Sequence, residues 1–345
     1  MFATGNLIKT VCVPAGVVLC VALLSSALPA ESQAAVVPQV AVTYTACGNG
    51  VDAVNVAPRG NFDPTTLTDT QLTDIGYPPR PSDPSMLSTW QRFVRNGLPH
   101  TPCTLRAGRR HLPPQLTAEG GLGAATTGSA SLNWAGNIAN GHPYSNAQAY
   151  WKVPLGSANP GDQAYSSSWV GIGQGKSSAL PLIQAGTESD TVLGTHTFYL
   201  WWEVYPEVGS QTITASTTAG DTIYTKITAG TNTATFQVLD ETKGTGGTYH
   251  YSGHFGVDGT AEWILERPWV GFFPHLANAT TTFTTAAASA PGVALTGVGK
   301  LPHDYDDMFT CDGKTLMAIP GAISSDGFSF TDYWQAYGDV INSCG

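Results

Sequence analysis

The stretch Ala261-Glu262-Trp263-Ile264-Leu265-Glu266 decides how the chain is read. Written as a β-strand, it sends Ala261, Trp263 and Leu265 to one side and Glu262, Ile264 and Glu266 to the other, because successive side chains alternate. The first set can seal a core. The second puts two carboxylates on the opposite face with an aliphatic residue between them. A carboxylate on a rigid strand beside an aliphatic neighbour is a candidate acid or base, since partial desolvation raises its pKa. The plain alternative is a strand whose outer face carries ordinary solvated glutamates.

Other short runs share this character: 150–153, 167–172, 180–185, 197–205, 211–216, 221–228, 234–238, 249–254, 280–285 and 316–319. Turns such as Ala219-Gly220 and Gly244–Gly247 separate them. Charged residues are only 12%, with 39 Gly and 23 Pro, and no long stretch shows helical periodicity. An all-β chain follows, built as a two-sheet antiparallel β-sandwich of the lectin/glucanase-like kind. Its 345 residues allow one large domain plus a smaller region.

Residues 1–35 read as a secretory signal peptide. Lys9 supplies the positive start, Val11 to Leu28 is mostly apolar, and Ser32-Gln33-Ala34 offers a cleavage site. Pro14 and Gly16 interrupt the run, which argues against a membrane anchor, and Leu19-Cys20 fits a lipid-attachment site poorly. No later segment has the roughly 18 unbroken apolar residues that a bilayer needs. The expected location is extracellular, with no membrane contact once the signal is gone. Cys12 and Cys20 leave with it. Four cysteines remain, and three connectivities are open to them. Cys47–Cys103 and Cys311–Cys344 keep each pair within one region. No CxxC or Cys/His cluster argues for zinc, and no cofactor motif is present.

Residues 36–126 differ from the rest. They hold seven of the eight arginines, no lysine and six acids, with dense proline. Ser85–Val94 is the best helix candidate, with Ser85 as its cap. Ala118–Ser131 reads as a linker. Residues 127–345 carry seven Lys or Arg against eighteen Asp or Glu. An arginine-bearing segment ahead of an acidic domain fits a pro-segment of mixed structure held partly by charge, which acid would loosen. A permanent N-terminal extension fits equally well. So few basic groups also mean mild self-repulsion in strong acid. The same acidic balance gives no reason to expect a nucleic-acid partner, and a monomer is expected.

Several motifs fail. Gly171-Ile-Gly-Gln-Gly-Lys176-Ser177 resembles a nucleotide loop, but a P-loop needs Gly where Val170 stands. There is no G-x-S-x-G and no H-E-x-x-H. Asp304-Tyr-Asp306-Asp307 reads as a solvated acidic loop rather than a cation site. The histidines of the main region are scattered. Asn278-Ala-Thr280 is a glycosylation sequon, meaningful in a eukaryotic host.

Thr197–Tyr205 is more informative. Trp201, Glu203 and Tyr205 share one face, and Trp202 and Val204 the other. Two aromatics flanking a carboxylate suit the floor of a groove for an extended polymer. An aromatic core face with one edge glutamate is the plainer alternative. In Leu182-Ile183-Gln184, Ile183 faces one way and Leu182 and Gln184 the other.

Seven motifs stand in order: Asn133-Trp134-Ala135-Gly136, Trp151-Lys152-Val153-Pro154, Ser168–Ile172, Ile183–Gly186, Trp201–Pro206, Gly220–Ile223 and Ala261–Glu266. Over roughly 131–290 they resemble the glutamic peptidases, or eqolisins. The resemblance implies a β-sandwich with a substrate groove across one curved sheet, a secreted precursor and endopeptidase activity in acid. It implies Gln184 and Glu266 as the catalytic pair and Trp201 and Glu203 in the groove, where Trp134, Trp169 and Tyr205 are further substrate-binding candidates. Two positions depart from the family. An acid that often follows the Trp-Val-Gly-Ile run is Gly173 here, and an aspartate two before the groove tryptophan is Tyr199.

The implied chemistry is hydrolysis of protein or peptide substrates without a metal. Glu266 takes a proton from water and passes it to the leaving amine. Gln184 stabilises the oxyanion through its NH2, and an amide keeps that role at any pH. The rival is a secreted carbohydrate-active or carbohydrate-binding sandwich. Glycosidases use carboxylates roughly 5–9.5 Å apart. Glu262 and Glu266 lie about 13 Å apart along a strand, which leaves Glu203 with Glu266. A non-catalytic binding module is the third possibility.

Overall fold

Alternation along the chain builds two antiparallel sheets that share a core. The computed structural model describes residues 38–115, 128–173, 181–255 and 259–342. The signal-peptide stretch, most of the expected linker and Cys344 lie outside the described residues.

One sheet runs, edge to edge, through Val40–Gly48, Val51–Pro58, Thr245–Ser252, Thr233–Asp240, Thr222–Gly230, Asn146–Lys152, Thr281–Ala290 and Val293–Gly297. The other runs through Leu105–Ala107, Val208–Ile213, Thr195–Tyr205, Leu182–Val192, Ser167–Gly173, Thr260–Glu266, Trp134–Ala139, His303–Phe309, Leu316–Pro320 and Phe330–Trp334. Thr281–Ala290 joins the two, because its first residues also pair with Phe330–Trp334.

The shared core is rich in aromatics. Trp151, Trp202, Trp263, Phe236 and Phe283 are buried there. Two of the indoles reach across. Trp263 Nε1 donates to the Gln148 carbonyl at 2.9 Å, and Trp151 Nε1 donates to Thr187 Oγ1 at 3.0 Å. Each indole thus fills volume and satisfies its own N–H inside an apolar space. Truncating Trp263 to alanine would cost about 3–5 kcal/mol.

The strand 260–266 places Ala261 and Trp263 in this core, as its alternation predicts. Its other face is not solvated, however. Glu262 and Glu266 are both fully buried. At Glu266 the reason lies in the N-terminal segment, whose His111 sits against it.

Residues 38–115 are attached in three ways. Val51–Pro58 extends the first sheet beside Thr245–Ser252, and Leu105–Ala107 extends the second beside Val208–Ile213. Between them, the helices Asp69–Asp74 and Leu87–Asn96 bring Leu72, Trp90, Phe93 and Val94 against Tyr150, Tyr224 and Leu239. The attachment is therefore largely apolar rather than electrostatic. Arg80 and Arg95 pair within the segment, with Asp69 and Asp63. Arg109 is the arginine that reaches acids of the sandwich. Cys47 and Cys103 are disulfide-bonded. Asp83, not Ser85, caps the turn ahead of the second helix, accepting from Ser85 N at 2.8 Å.

Two further expectations change. The acidic run 304–307 is part of the strand His303–Phe309, with Asp306 and Asp307 buried, not a solvated loop. Leu182 begins a strand that continues to Val192, seven residues past the expected end. No helix among the described residues is long and apolar enough to cross a membrane.

Candidate active site

The outer face of the second sheet is a groove floor. Trp134 and Ile138, Trp169, Leu182, Trp201 and Ile264 line it, with Tyr199 and Tyr205 packed alongside. Each comes from the side of its strand opposite the core. Gln184, Glu188 and Asp190 share this face on one strand, Glu203 lies on the next, and Glu266 ends another. Between Gln184 and Glu188 stands Gly186. A Cβ there would lie 2.2 Å from the Ser168 carbonyl and 2.6 Å from Trp169 Cβ, so only glycine lets these strands approach.

A piece of the chain's own N-terminal segment occupies the groove. His111 is fully buried in it. Its imidazole stacks on Trp201, with centroids 3.5 Å apart and planes 3° from parallel. Its Nδ1 is 2.9 Å from Glu266 Oε2, and its Nε2 is 3.2 Å from Glu188 Oε1. Its backbone N–H donates to Glu203 Oε2 at 3.1 Å.

The backbone from His111 onward is held at two successive carbonyls. Gln184 Nε2 donates to the His111 carbonyl oxygen at 3.0 Å. Downstream, the Leu112 carbonyl accepts from Trp134 Nε1 and from Asn133 Nδ2, both at 3.0 Å, and Gln115 N donates to Asn133 Oδ1 at 2.8 Å. Upstream, Arg109 pairs with Asp190, lies 3.9 Å from Glu188 Oε2, and rests on the Tyr165 ring at 4.3 Å.

Glu203 fixes the orientation of the Gln184 amide. Gln184 Nε2 donates to Glu203 Oε2 at 3.0 Å as well as to His111 O. Both partners are acceptors, so the NH2 must face them. Trp169 does the same for the acid, its Nε1 donating to Glu266 Oε2 at 2.7 Å. Glu266 Oε1 and Gln184 Oε1 are buried and carry no hydrogen bond.

Burial governs the electrostatics. It pushes Glu266 well above the ordinary carboxylate range, against the opposing pull of the Trp169 indole, the Leu112 amide and the Asn133 side chain. Burial raises Glu203 and Glu188 as well, with Asp190 adding to the effect on Glu188. Burial and the nearby Arg109 hold His111 well below its usual value. A neutral imidazole between Glu266 and Glu188 has one proton to give and one lone pair to fill.

The seven candidates from the sequence meet in one place. Gln184, Glu266, Glu203, Trp134 and Trp201 all contact the segment in the groove. Trp169 contacts Glu266 rather than the segment, and Tyr205 packs into the floor. Sequence reasoning missed His111, Glu188 and Asp190. The two acids could have been found, since they follow Gln184 at even spacing. Glu188 pairs with Tyr199 on the adjacent strand.

Comparisons with known proteins point one way. Residues 132–301 match the Peptidase A4 family. Scytalidopepsin B of Scytalidium lignicola is 32% identical over 108 residues, which span 31% of this chain and only 39% of that protein. Aspergillopepsin-2 of Aspergillus niger is 26% identical over 215 residues, covering 54% of this chain and 76% of the relative. Among solved structures, scytalido-glutamic peptidase with a transition state analog inhibitor aligns with 59% of this chain and 98% of its own, at 22% identity and a TM-score of 0.49. Aspergilloglutamic peptidase from A. niger aligns with 50% and 99%, at 24% identity and a TM-score of 0.43. The groove residues Gln184, Glu203 and Glu266 all fall within residues 132–301, the stretch that matches the Peptidase A4 family.

Proposed function

We propose that this protein is a secreted acid endopeptidase, made as a precursor, that hydrolyses peptide bonds with Gln184 and Glu266. One observation carries this: a single residue of an extended peptide meets both side chains, with the His111 carbonyl oxygen 3.0 Å from Gln184 Nε2 and its Nδ1 2.9 Å from Glu266 Oε2. In a substrate held there, the two side chains flank a peptide bond. The carbonyl oxygen becomes the oxyanion, and the amide nitrogen becomes the leaving amine.

In this mechanism a water adds to the carbonyl carbon and Glu266 takes its proton. Gln184 holds the oxyanion through Nε2. The C–N bond then breaks as Glu266 returns the proton to the nitrogen. Glu203 and Trp169 act by orienting Gln184 and Glu266. Trp201 and Trp134 grip the substrate on either side of the bond. The groove's occupant is peptide, which favours a peptidase over a carbohydrate-active protein.

Residues 36–126 act in this proposal as the pro-segment and linker, following a signal peptide over 1–35, with the peptidase domain over 127–345. The segment blocks the groove with His111, so a substrate must displace it. The test is cleavage of a denatured protein at about pH 3–4 by wild-type, Gln184→Ala and Glu266→Ala proteins. Loss of cleavage in both variants supports the assignment. Undiminished cleavage in either one refutes it.

A further inference from the structure

We infer that a cavity on the far side of the strand Trp134–Ala139 from the groove binds a small organic carboxylate. On that strand Trp134 and Ile138 face the groove floor, so Asn137 lies on the other side. There it lines a cavity of about 530 Å³, within the range of small-molecule sites.

Both sheets contribute walls. Asn137, His303, Tyr305 and Ile319 come from the second sheet, and Gly299 and Lys300 lie just past the edge strand of the first. Pairing of Tyr305 with Asn137 and of His303 with Ala139 keeps those side chains on one face. The loop 321–327 forms a third wall. Gly299 N donates to the Gly327 carbonyl at 3.0 Å, and Gly321 N donates to the Thr331 carbonyl at 2.7 Å. A Cβ on Gly299 would lie 2.7 Å from Ile323 Cγ2, so glycine lets the loop seat closely. Backbone bonds therefore shape the cavity in advance.

Asn137 is the residue that points to a ligand. It is 3% exposed and stands between Ala135 and Ala139, which are fully buried on the same face. Its Nδ2 is buried and has no hydrogen-bond partner. An apolar residue would cost less there, because an unsatisfied buried donor bears its full desolvation penalty. An acceptor on a ligand removes that penalty. The groups around it are also donors. Lys300 brings a positive charge to the rim, in a region with seven Lys or Arg against eighteen Asp or Glu between residues 127 and 345. Tyr305 adds a hydroxyl. His303 Nδ1 is 2.8 Å from the Leu301 carbonyl, which can only accept, so Nδ1 carries the proton. Asp326, on the same loop, is already engaged by Ser324 Oγ and Phe328 N. An ammonium and an amide donor, beside the apolar Ile319, Pro320 and Ile323, suit a carboxylate with a short apolar body. Two sources share that chemistry, the C-terminus of a peptide and a free organic acid.

The experiment is calorimetric titration and thermal melting of the purified protein at about pH 6, where carboxylates are ionised. The probes are N-acetyl-Ala-Val with a free C-terminus, the same dipeptide as its C-terminal amide, and isobutyrate. The dipeptide acid should bind and raise the melting temperature, and the amide should bind at least about tenfold more weakly. Isobutyrate binding as tightly as the dipeptide identifies a free acid as sufficient, and binding of the dipeptide alone identifies the peptide terminus. Lys300→Met and Asn137→Ala should each weaken binding about tenfold. Without ligand, Asn137→Ala should melt no lower than the wild type, and a lower melting temperature would mark Asn137 as structural and sink the inference. Gln184→Ala should bind like the wild type, because Gln184 lies in the groove. Equal binding of acid and amide, binding of neither acid, or loss of binding in Gln184→Ala but not in Lys300→Met would also overturn it. The peptidase assignment is read separately, by cleavage, and stands or falls on its own test.

Discussion

The imidazole of His111 lies flat on the indole of Trp201, 3.5 Å between centroids and 3° from parallel. This contact joins the N-terminal segment to the groove floor at the point where Gln184 and Glu266 converge. Aromatic stacking of this kind is worth about 0.5–1.5 kcal/mol beyond the area it buries. The same side chain also contacts Glu266 and Glu188. His111→Ala should therefore loosen the segment without touching the catalytic pair. The precursor carrying it should cleave a short fluorogenic peptide without the lag of the wild type, at an initial rate about tenfold higher. An unchanged lag would mean that His111 is not what closes the groove.

Gln184→Glu tests whether an amide is required. The substitution keeps the shape but replaces the NH2, which donates to both His111 O and Glu203 Oε2, with an oxygen. One donor can be restored by protonation, but two cannot. A fall in kcat of about 10²–10³-fold is expected, with KM changed far less, because the lost interaction belongs to the transition state. A variant with near wild-type kcat would remove Gln184 from the mechanism.

The strands 197–205 and 261–266 show which parts of this site were legible in the sequence. Both carry a core tryptophan on one face and an acid on the other, and both faces are buried for different reasons. Trp202 and Trp263 pack in the core, while Glu203 and Glu266 lie beneath the segment. Period-two alternation reveals the first kind of burial because it depends on one strand. The second depends on His111, 92 residues from Glu203 and 155 from Glu266, and leaves no local trace. The strand from Leu182 was ended early for the same reason. Thr187-Glu188-Ser189-Asp190-Thr191 is polar throughout and resembles a turn, yet it is buried because Arg109, His111 and the adjacent strands satisfy much of it. The hairpin at 40–58 was missed because its outer strand is mostly exposed and so has no apolar alternation to show.

Arg109 and Asp190 should couple measurably. Asp190 is almost completely buried, and Arg109 is its ion-pair partner. Burial raises the Asp190 pKa, and the guanidinium pulls it back down. Removing Arg109 leaves two adjacent buried acids, Asp190 and Glu188, without their shared cation. Removing Asp190 leaves Arg109 with Glu188 at 3.9 Å. A double-mutant cycle of Arg109→Ala and Asp190→Asn, read by urea unfolding of the precursor at pH 6, should give a coupling of about 1–3 kcal/mol. Additive effects would show that the pair does not hold the segment.

Glu241 sets a pH limit at the other contact between segment and sandwich. Tyr150 has one hydroxyl proton and two oxygen neighbours, Pro79 O at 2.7 Å and Glu241 Oε1 at 2.9 Å. A carbonyl can only accept, so the hydroxyl donates to Pro79, and a protonated Glu241 completes the network by donating to the Tyr150 oxygen. Burial pushes Glu241 up to about 8, with adjacent Asp240 adding to the rise and itself pushed up to about 6. A raised carboxyl pKa means that the folded state holds the proton more tightly than the unfolded chain. Its contribution is complete below the ordinary glutamate value of 4.5, and it is lost progressively as pH rises toward about 8. Across that window the loss is about 1.4 kcal/mol per pH unit. Other charged groups around this site are Asp221, Lys243 and Arg92. The melting temperature of the precursor should therefore fall between pH 5 and pH 8, roughly in line with these titrations. Glu241→Gln keeps a donor for Tyr150 without a titrating proton, so its curve should be flatter, with the gap from wild type widening toward pH 8. Parallel curves for the two proteins would show that Glu241 is not the group responsible.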